Sequence, residues 1–172
     1  MKQLILGGAR SGKSALAEQR AQASGKPVIY IATAESRDGE MQNRIAHHRN
    51  QRPAHWHTVE EPLRLASALR AHASPGHLIL VDCLTLWLTN LLCHDDPLLL
   101  EQETQALLAF LDESATDLIL VSNETGLGVV PMGELTRRFV DEAGWLHQAV
   151  AARSRRVTFV VAGLPHILKQ TD

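Results

Sequence analysis

Several stretches of this chain are apolar without interruption. They are Leu4-Ile5-Leu6, Val28-Ile29-Tyr30-Ile31-Ala32, Leu78-Ile79-Leu80-Val81, Leu118-Ile119-Leu120-Val121 and Phe159-Val160-Val161-Ala162. A strand with one wet face alternates apolar and polar residues; a continuous run predicts a strand covered on both faces. The segments between them carry helical periodicity. Ala15 to Ala21 consists largely of strong helix formers. Met41 and Ile45 share a face in a helix expected over 40–50. Leu63, Leu65, Ala66 and Leu69 give a further helix, with Glu61-Pro62 as its expected opening and Ser74-Pro75-Gly76 as its end. Leu84 to Leu92, Leu98 to Glu113 and Glu134 to Ala152 complete the set. Trp56 to Glu60 reads as a short additional strand, and Arg155 to Gly163 as the closing one. Strands alternating with helices predict a mostly parallel sheet with helices on both faces, a three-layer α/β fold.

The first strand runs into Gly7-Gly8-Ala9-Arg10-Ser11-Gly12-Lys13-Ser14, which fits G-x-x-x-x-G-K-[ST], the phosphate-binding loop of nucleoside-triphosphate enzymes. Strand, Gly-rich loop and helix come in the order the mechanism needs. Glycines let backbone N–H groups curl toward an anion, and the helix behind aims its positive dipole end at the same point. Lys13 supplies a charge for the β- and γ-phosphates, and Ser14 a hydroxyl for Mg²⁺. His77 to Asp82, an apolar run ending in an acid, resembles a Walker-B strand, whose carboxylate holds Mg²⁺ directly or through water. Thr33 and the loop after it are expected beside the phosphate loop, because ligands of open α/β sheets collect at the carboxyl ends of strands. Ser122, Asn123 and Glu124 end another strand, where polar groups can sense the γ-phosphate or orient an acceptor. The stretch is not N-K-x-D, so it carries no GTPase guanine code.

His47 lies about 200° around the expected helix from Ile45, pointing away from the core, with Arg44 one turn below. An outward histidine near a triphosphate site is a phosphate contact, a nucleophile or a solvated surface residue; spacing does not choose. Adjacent helical histidines diverge, which weighs against His47-His48 as a metal pair. Arg137 and Arg138 read as a solvated helix face or as a clamp for phosphate or a neighbouring subunit.

Composition narrows the class. With 172 residues, 45% hydrophobic and 21% charged, the chain is expected to form one domain, residues 1–172, with a full core. A formal net charge of −2 argues against a surface that coats nucleic acid. No run is long and apolar enough for a membrane span, and the start lacks a signal-peptide pattern. Cys83 and Cys93 fit no metal or redox spacing, so reduced thiols and a cytoplasmic location are expected.

The phosphate loop, Tyr30-Ile31-Ala32-Thr33-Ala34, Asp38-Gly39-Glu40-Met41 and Arg44-Ile45-Ala46-His47-His48 together resemble one family. So do Arg52-Pro53-Ala54-His55-Trp56, Val81-Asp82-Cys83-Leu84-Thr85, Thr89-Asn90-Leu91-Leu92, Val121-Ser122-Asn123-Glu124 and Gly126-Leu127-Gly128-Val129-Val130-Pro131. It is the bifunctional adenosylcobinamide kinase / adenosylcobinamide-phosphate guanylyltransferase family of cobalamin biosynthesis. The ordered set runs from about residue 2 to Gly163 and is far more specific than a phosphate loop alone.

The resemblance implies a RecA-like P-loop NTPase fold and two reactions. A γ-phosphoryl group passes from ATP or GTP to the aminopropanol hydroxyl of adenosylcobinamide. GMP from GTP is then placed on that phosphate with release of pyrophosphate. The family's guanylylated histidine falls on His47. Nucleotide contacts fall on Gly7, Gly8, Ala9, Arg10, Ser11, Gly12, Lys13 and Ser14, on Ala32, Thr33 and Ala34, on His48, Arg49, Asn50 and Gln51, and on Glu60 and Asp82. Ser14 and Asp82 would hold Mg²⁺. Many relatives carry Glu in place of Asp82, and threonine is common in place of Ser122. The family is often trimeric, which implies a homo-oligomer in which a partner subunit can complete the site. The chemistry is coherent: a neutral imidazole attacks the α-phosphate while Mg²⁺ and Lys13 neutralise the departing pyrophosphate. The helix over 40–50 must then carry His47 to the α-phosphate and is expected to be mobile. Two other readings compete, a P-loop small-molecule kinase without guanylyl transfer and a nucleotide-dependent switch.

Overall fold

The computed structural model describes residues 1–34 and 53–171. The helix expected over 40–50 lies outside the described residues, and with it His47, His48, Arg49, Asn50 and Gln51. Among the described residues the strands are β1 (Lys2–Gly7), β2 (Val28–Ala32), β3 (His57–Glu60), β4 (Leu78–Asp82), β5 (Asp117–Asn123), β6 (Arg156–Val161) and β7 (Leu164–Gln170). The helices are α1 (Lys13–Ala23), α2 (Leu65–His72), α3 (Leu84–Leu92), α4 (Leu99–Glu113) and α5 (Glu134–Arg153). One sheet runs in the order β3-β2-β4-β5-β1-β6-β7. All its pairings are parallel except β6 with β7.

The continuous apolar runs are explained by two cores, one on each face. Leu4 and Leu6, Ile29 and Ile31, Ile79 and Val81, and Leu118 and Leu120 point into one core, which α2 to α5 cover through Leu69, Trp87, Phe110 and Leu146. Their alternates Ile5, Val28, Tyr30, Leu78, Leu80, Ile119 and Val121 point into the other, beneath Ala17 and Ala21 of α1. Successive side chains leave a strand on opposite faces, so a strand sandwiched between helices must be apolar at every position. Trp56 closes the α1 side, its ring 6.4 Å from that of Tyr30.

Two expectations are corrected. Proline does not open α2. The Glu61 carboxylate accepts the backbone N–H groups of Leu63 and Arg64 at 3.0 and 2.7 Å, and this side-chain turn comes before the helix, which starts at Leu65. The strand ending near Gly163 is also not the last. The chain reverses through Ala162 and Gly163, both at positive φ (52° and 78°), and returns antiparallel as β7. Two residues in that conformation match the right-handed twist of the flanking strands. The edge strand escapes a hydrophobicity reading because Pro165, His166, Lys169 and Gln170 interrupt it and most of it faces outward.

Candidate active site

The site is built on the carboxyl edge of the sheet. β1 ends at Gly7 and α1 begins at Lys13, so the loop between them turns a strand into a helix in five residues, with Arg10 and Gly12 at positive φ (55° and 94°). Gly7 admits no side chain: a Cβ there would lie 2.5 Å from Ser11 Oγ and 2.6 Å from the Val160 carbonyl oxygen. The Lys13 ammonium folds back over the loop and donates to the Gly8 carbonyl at 3.2 Å. Ser14 sits half-buried in the first turn of α1, at its positive dipole end. Ser11 turns inward, and its buried hydroxyl has no partner among the described residues.

Asp82 ends β4, its Oδ2 accepting the Tyr30 hydroxyl at 3.0 Å. In the sheet, β5 stands between β4 and β1, with Asp82 opposite Val121 and Gly7 opposite Asn123. At about 4.8 Å per strand, Asp82 and the phosphate loop lie about 10 Å apart across the sheet, a span that a triphosphate with its cation can bridge. Ala32 ends β2 in register with Asp82. Glu60 ends β3 in register with Ala32 but four strands from β1, about 19 Å by the same spacing. Asp82 therefore stands nearest the phosphate loop, Ala32 one strand beyond it on the same side, and Glu60 at the far end of the nucleotide edge.

Thr33 is fully buried and braces the chain. Its hydroxyl donates to the Cys83 carbonyl at 2.6 Å and accepts the Cys83 N–H at 2.9 Å. Its carbonyl accepts from the Asn90 amide at 2.9 Å. These bonds lock the ends of β2 and β4 together and to α3, and they fix Ala34 and Asp82 at the rim. The Cys83 thiol is pushed up to about 11, first by burial and then by the Asp82 charge.

A second constellation comes from residues that spacing in the sequence does not bring together. Thr85 Oγ1 accepts the Asn123 N–H at 2.6 Å and lies 3.0 Å from Ser122 Oγ. Ser122 Oγ lies 2.7 Å from His147 Nε2, and His147 Nδ1 faces Glu124 Oε2 at 3.8 Å. The Glu124 N–H donates to the Gly7 carbonyl at 3.0 Å, so the backbone that carries this carboxylate is bonded to the first residue of the phosphate loop. Burial lowers the affinity of His147 for a proton, and the Glu124 charge opposes this only partly, so the ring is neutral near pH 7. His147 had a usable sequence signal. With Ala143, Leu146 and Val150 it occupies the buried stripe of α5. Arg137 and Arg138 are exposed, and Arg137 donates to the carbonyls of Pro131 and Met132, tying down its own loop.

Comparison with known proteins agrees with this geometry. Residues 3–168 match the family described as cobinamide kinase / cobinamide phosphate guanyltransferase. The chain is 67% identical, over 98% of both sequences, to the bifunctional adenosylcobalamin biosynthesis protein CobP of Pseudomonas aeruginosa. It is 41% identical to the bifunctional adenosylcobalamin biosynthesis protein CobU of Escherichia coli, over 94% of this chain and 96% of that one. Among solved structures it resembles the RadB recombinase at a TM-score of 0.51 and 19% identity, over 92% of this chain and 73% of that one. It also resembles a Pyrococcus horikoshii protein at a TM-score of 0.58 and 7% identity, over 99% and 87%. These two likenesses concern the fold alone, and that to the recombinase is consistent with a RecA-like P-loop fold. No helix among the described residues is long and apolar enough to cross a membrane. Sequence, site geometry and full-length relatives converge, and the chain belongs to the cobinamide kinase / cobinamide phosphate guanyltransferase family.

Proposed function

We propose that this chain phosphorylates the aminopropanol hydroxyl of adenosylcobinamide with ATP or GTP, and then transfers GMP from GTP to that phosphate through a guanylylated His47. The observation that carries the kinase half is the phosphate loop with Lys13 folded over it, one strand removed from the Asp82 strand. The loop's backbone N–H groups and the start of α1 bind the β- and γ-phosphates, and Lys13 swings from the Gly8 carbonyl onto them. Gly8, Ala9, Arg10 and Gly12 contribute backbone, Ser14 its hydroxyl, and Ala34 and Glu60 line the remainder of the nucleotide edge.

Mg²⁺ fits the donor set. Ser14 offers one hydroxyl and Asp82 one carboxylate, and no cluster of three or more His, Cys, Asp or Glu exists among the described residues. Such a sparse oxygen set suits a cation held mainly by substrate phosphates and water. When bound, Mg²⁺ supplies charge neutralisation on the transferring and departing phosphates. Tyr30 orients the Asp82 carboxylate toward that position.

The guanylyl step rests on the family's pattern at His47-His48. We also propose a homo-oligomer. The exposed apolar side chains Leu127, Val129, Val130, Met132 and Leu135, all on the loop after β5 and the start of α5, support a face covered by a second copy. Sedimentation velocity tests this point. The two-step reading is tested by incubating the protein with adenosylcobinamide and ATP, then adding GTP, and following the corrinoid by mass spectrometry. Successive gains of one phosphate and one GMP are expected. A product that stops at the phosphate would leave only the kinase.

A further inference from the structure

The buried hydrogen-bonded chain behind β5 has no part in the chemistry described so far. Thr85, Ser122 and His147 are each less than a tenth exposed, inside an otherwise apolar region. Polar side chains in such a place cost stability unless fully partnered, and here they are partnered mainly by one another. The Glu124 carboxylate can only accept, which places the ring's own N–H on Nδ1, facing it. His147 Nε2 then accepts the Ser122 hydroxyl, and Ser122 accepts that of Thr85, whose Oγ1 also takes the Asn123 N–H. Serine, histidine and carboxylate in this order resemble the arrangement of a nucleophilic triad. Ser122 is 1% exposed, however, and no substrate can reach it. The end of the chain that meets solvent is Glu124, whose side chain is 22% exposed.

Glu124 stands where a proton acceptor for phosphoryl transfer is needed. It is the first residue past β5, between the Asp82 strand and the phosphate-loop strand, and its N–H holds the Gly7 carbonyl. Among the described residues, the other carboxylates on this edge are committed elsewhere or remote. Asp82 holds Tyr30, Glu61 caps the turn before α2, and Glu60 stands on β3. Glu124 is held at one oxygen, Oε1 accepting the Gly126 N–H at 2.5 Å, while Oε2 faces the His147 ring at 3.8 Å and keeps a lone pair for another proton. We propose that Glu124 is the catalytic base of the kinase step, taking the proton of the attacking acceptor hydroxyl, and that His147 with Ser122 and Thr85 positions it. This rests on the kinase reading above. In the step the acceptor O–H bond breaks, an O–P bond forms at the γ-phosphorus, and the bond from that phosphorus to the bridging oxygen breaks. The nucleoside diphosphate leaves and the proton goes to the Glu124 carboxylate, to be lost to solvent afterwards.

The test separates the two half-reactions. In Glu124→Gln, kcat for ATP-dependent corrinoid phosphorylation is expected to fall about 100-fold, the range of a lost general base. KM for ATP and covalent labelling of the protein by α-labelled GTP should stay within about threefold, which also shows that the variant is folded. In His147→Gln, kcat should fall by less. The double variant should be no slower than Glu124→Gln, because a positioning residue acts only through the group it positions. A Glu124→Gln enzyme with kcat within about threefold of the parent overturns the assignment. So does one that loses labelling and phosphorylation together, or a double variant whose losses multiply. Failure of the parent enzyme to phosphorylate the corrinoid at all would instead overturn the kinase reading.

Discussion

The backbone N–H of Gly163 donates to the carbonyl of Ser11 at 2.8 Å, so the turn between β6 and β7 is bonded to the phosphate loop. The two touch again at Gly12, where a Cβ would come 3.1 Å from the Gly163 Cα. The hairpin that closes the sheet therefore props the loop that holds the nucleotide.

This contact predicts a graded series at one position. Gly163 has a φ of 78°, and a Cβ there meets nothing within 4 Å. Gly163→Ala should thus cost only the left-handed backbone penalty, about 1–2 kcal/mol, with nucleotide affinity nearly intact. Gly163→Pro also removes the N–H and cannot reach that φ. It should lose about 3 kcal/mol or more of stability and weaken nucleotide binding at least tenfold. Urea unfolding and titration with a fluorescent nucleotide read the two quantities separately.

The two cysteines should differ sharply in reactivity. Cys93 is exposed, whereas Cys83 is buried with its thiol raised to about 11. The thiolate is the reactive form, so Cys83 is protected twice over, by access and by protonation. A chromogenic disulfide at pH 8 should modify one thiol rapidly in the native protein and both after denaturation. Bound nucleotide should leave the fast thiol unchanged, because Cys93 follows α3, at the end of that helix remote from Asp82.

Acid should destabilise the fold through His147. Its native proton affinity lies below the ordinary value of 6.5, chiefly because of burial and in spite of Glu124. Below about pH 6.5 the unfolded chain therefore binds a proton that the native ring resists. The sign follows: this contribution is complete above pH 6.5 and is lost as pH falls toward the lower native value. Comparing the parent with His147→Gln in urea melts between pH 7.5 and 5 should show a shallower decline in the variant across that window.

The sequence made the central layer legible because physics left it little choice. Leu4, Ile5 and Leu6 are all apolar because consecutive residues of β1 face different cores. The phosphate loop was equally legible, since its glycines answer local steric demands such as the 2.5 Å approach at Gly7. β7 was not, because an outward-facing edge strand needs no apolar pattern. The pairing of Ser122 with His147 was also hidden. It joins residues 25 positions apart on different elements, and only the sheet order brings α5 against β5. His147 showed merely as a polar residue on an apolar stripe. His47, the residue on which the guanylyl step turns, lies outside the described residues, and its role is carried by the family pattern.

The most direct measurement is therefore made on His47 itself. The protein is incubated with Mg²⁺ and GTP labelled at the α-phosphate, denatured, and examined for covalent label. The account predicts an acid-labile, hydroxylamine-sensitive label that is absent in His47→Ala and that is discharged from the parent by pyrophosphate or corrinoid phosphate. A parent protein that takes up no label, or a His47→Ala protein labelled as well as the parent, would contradict it.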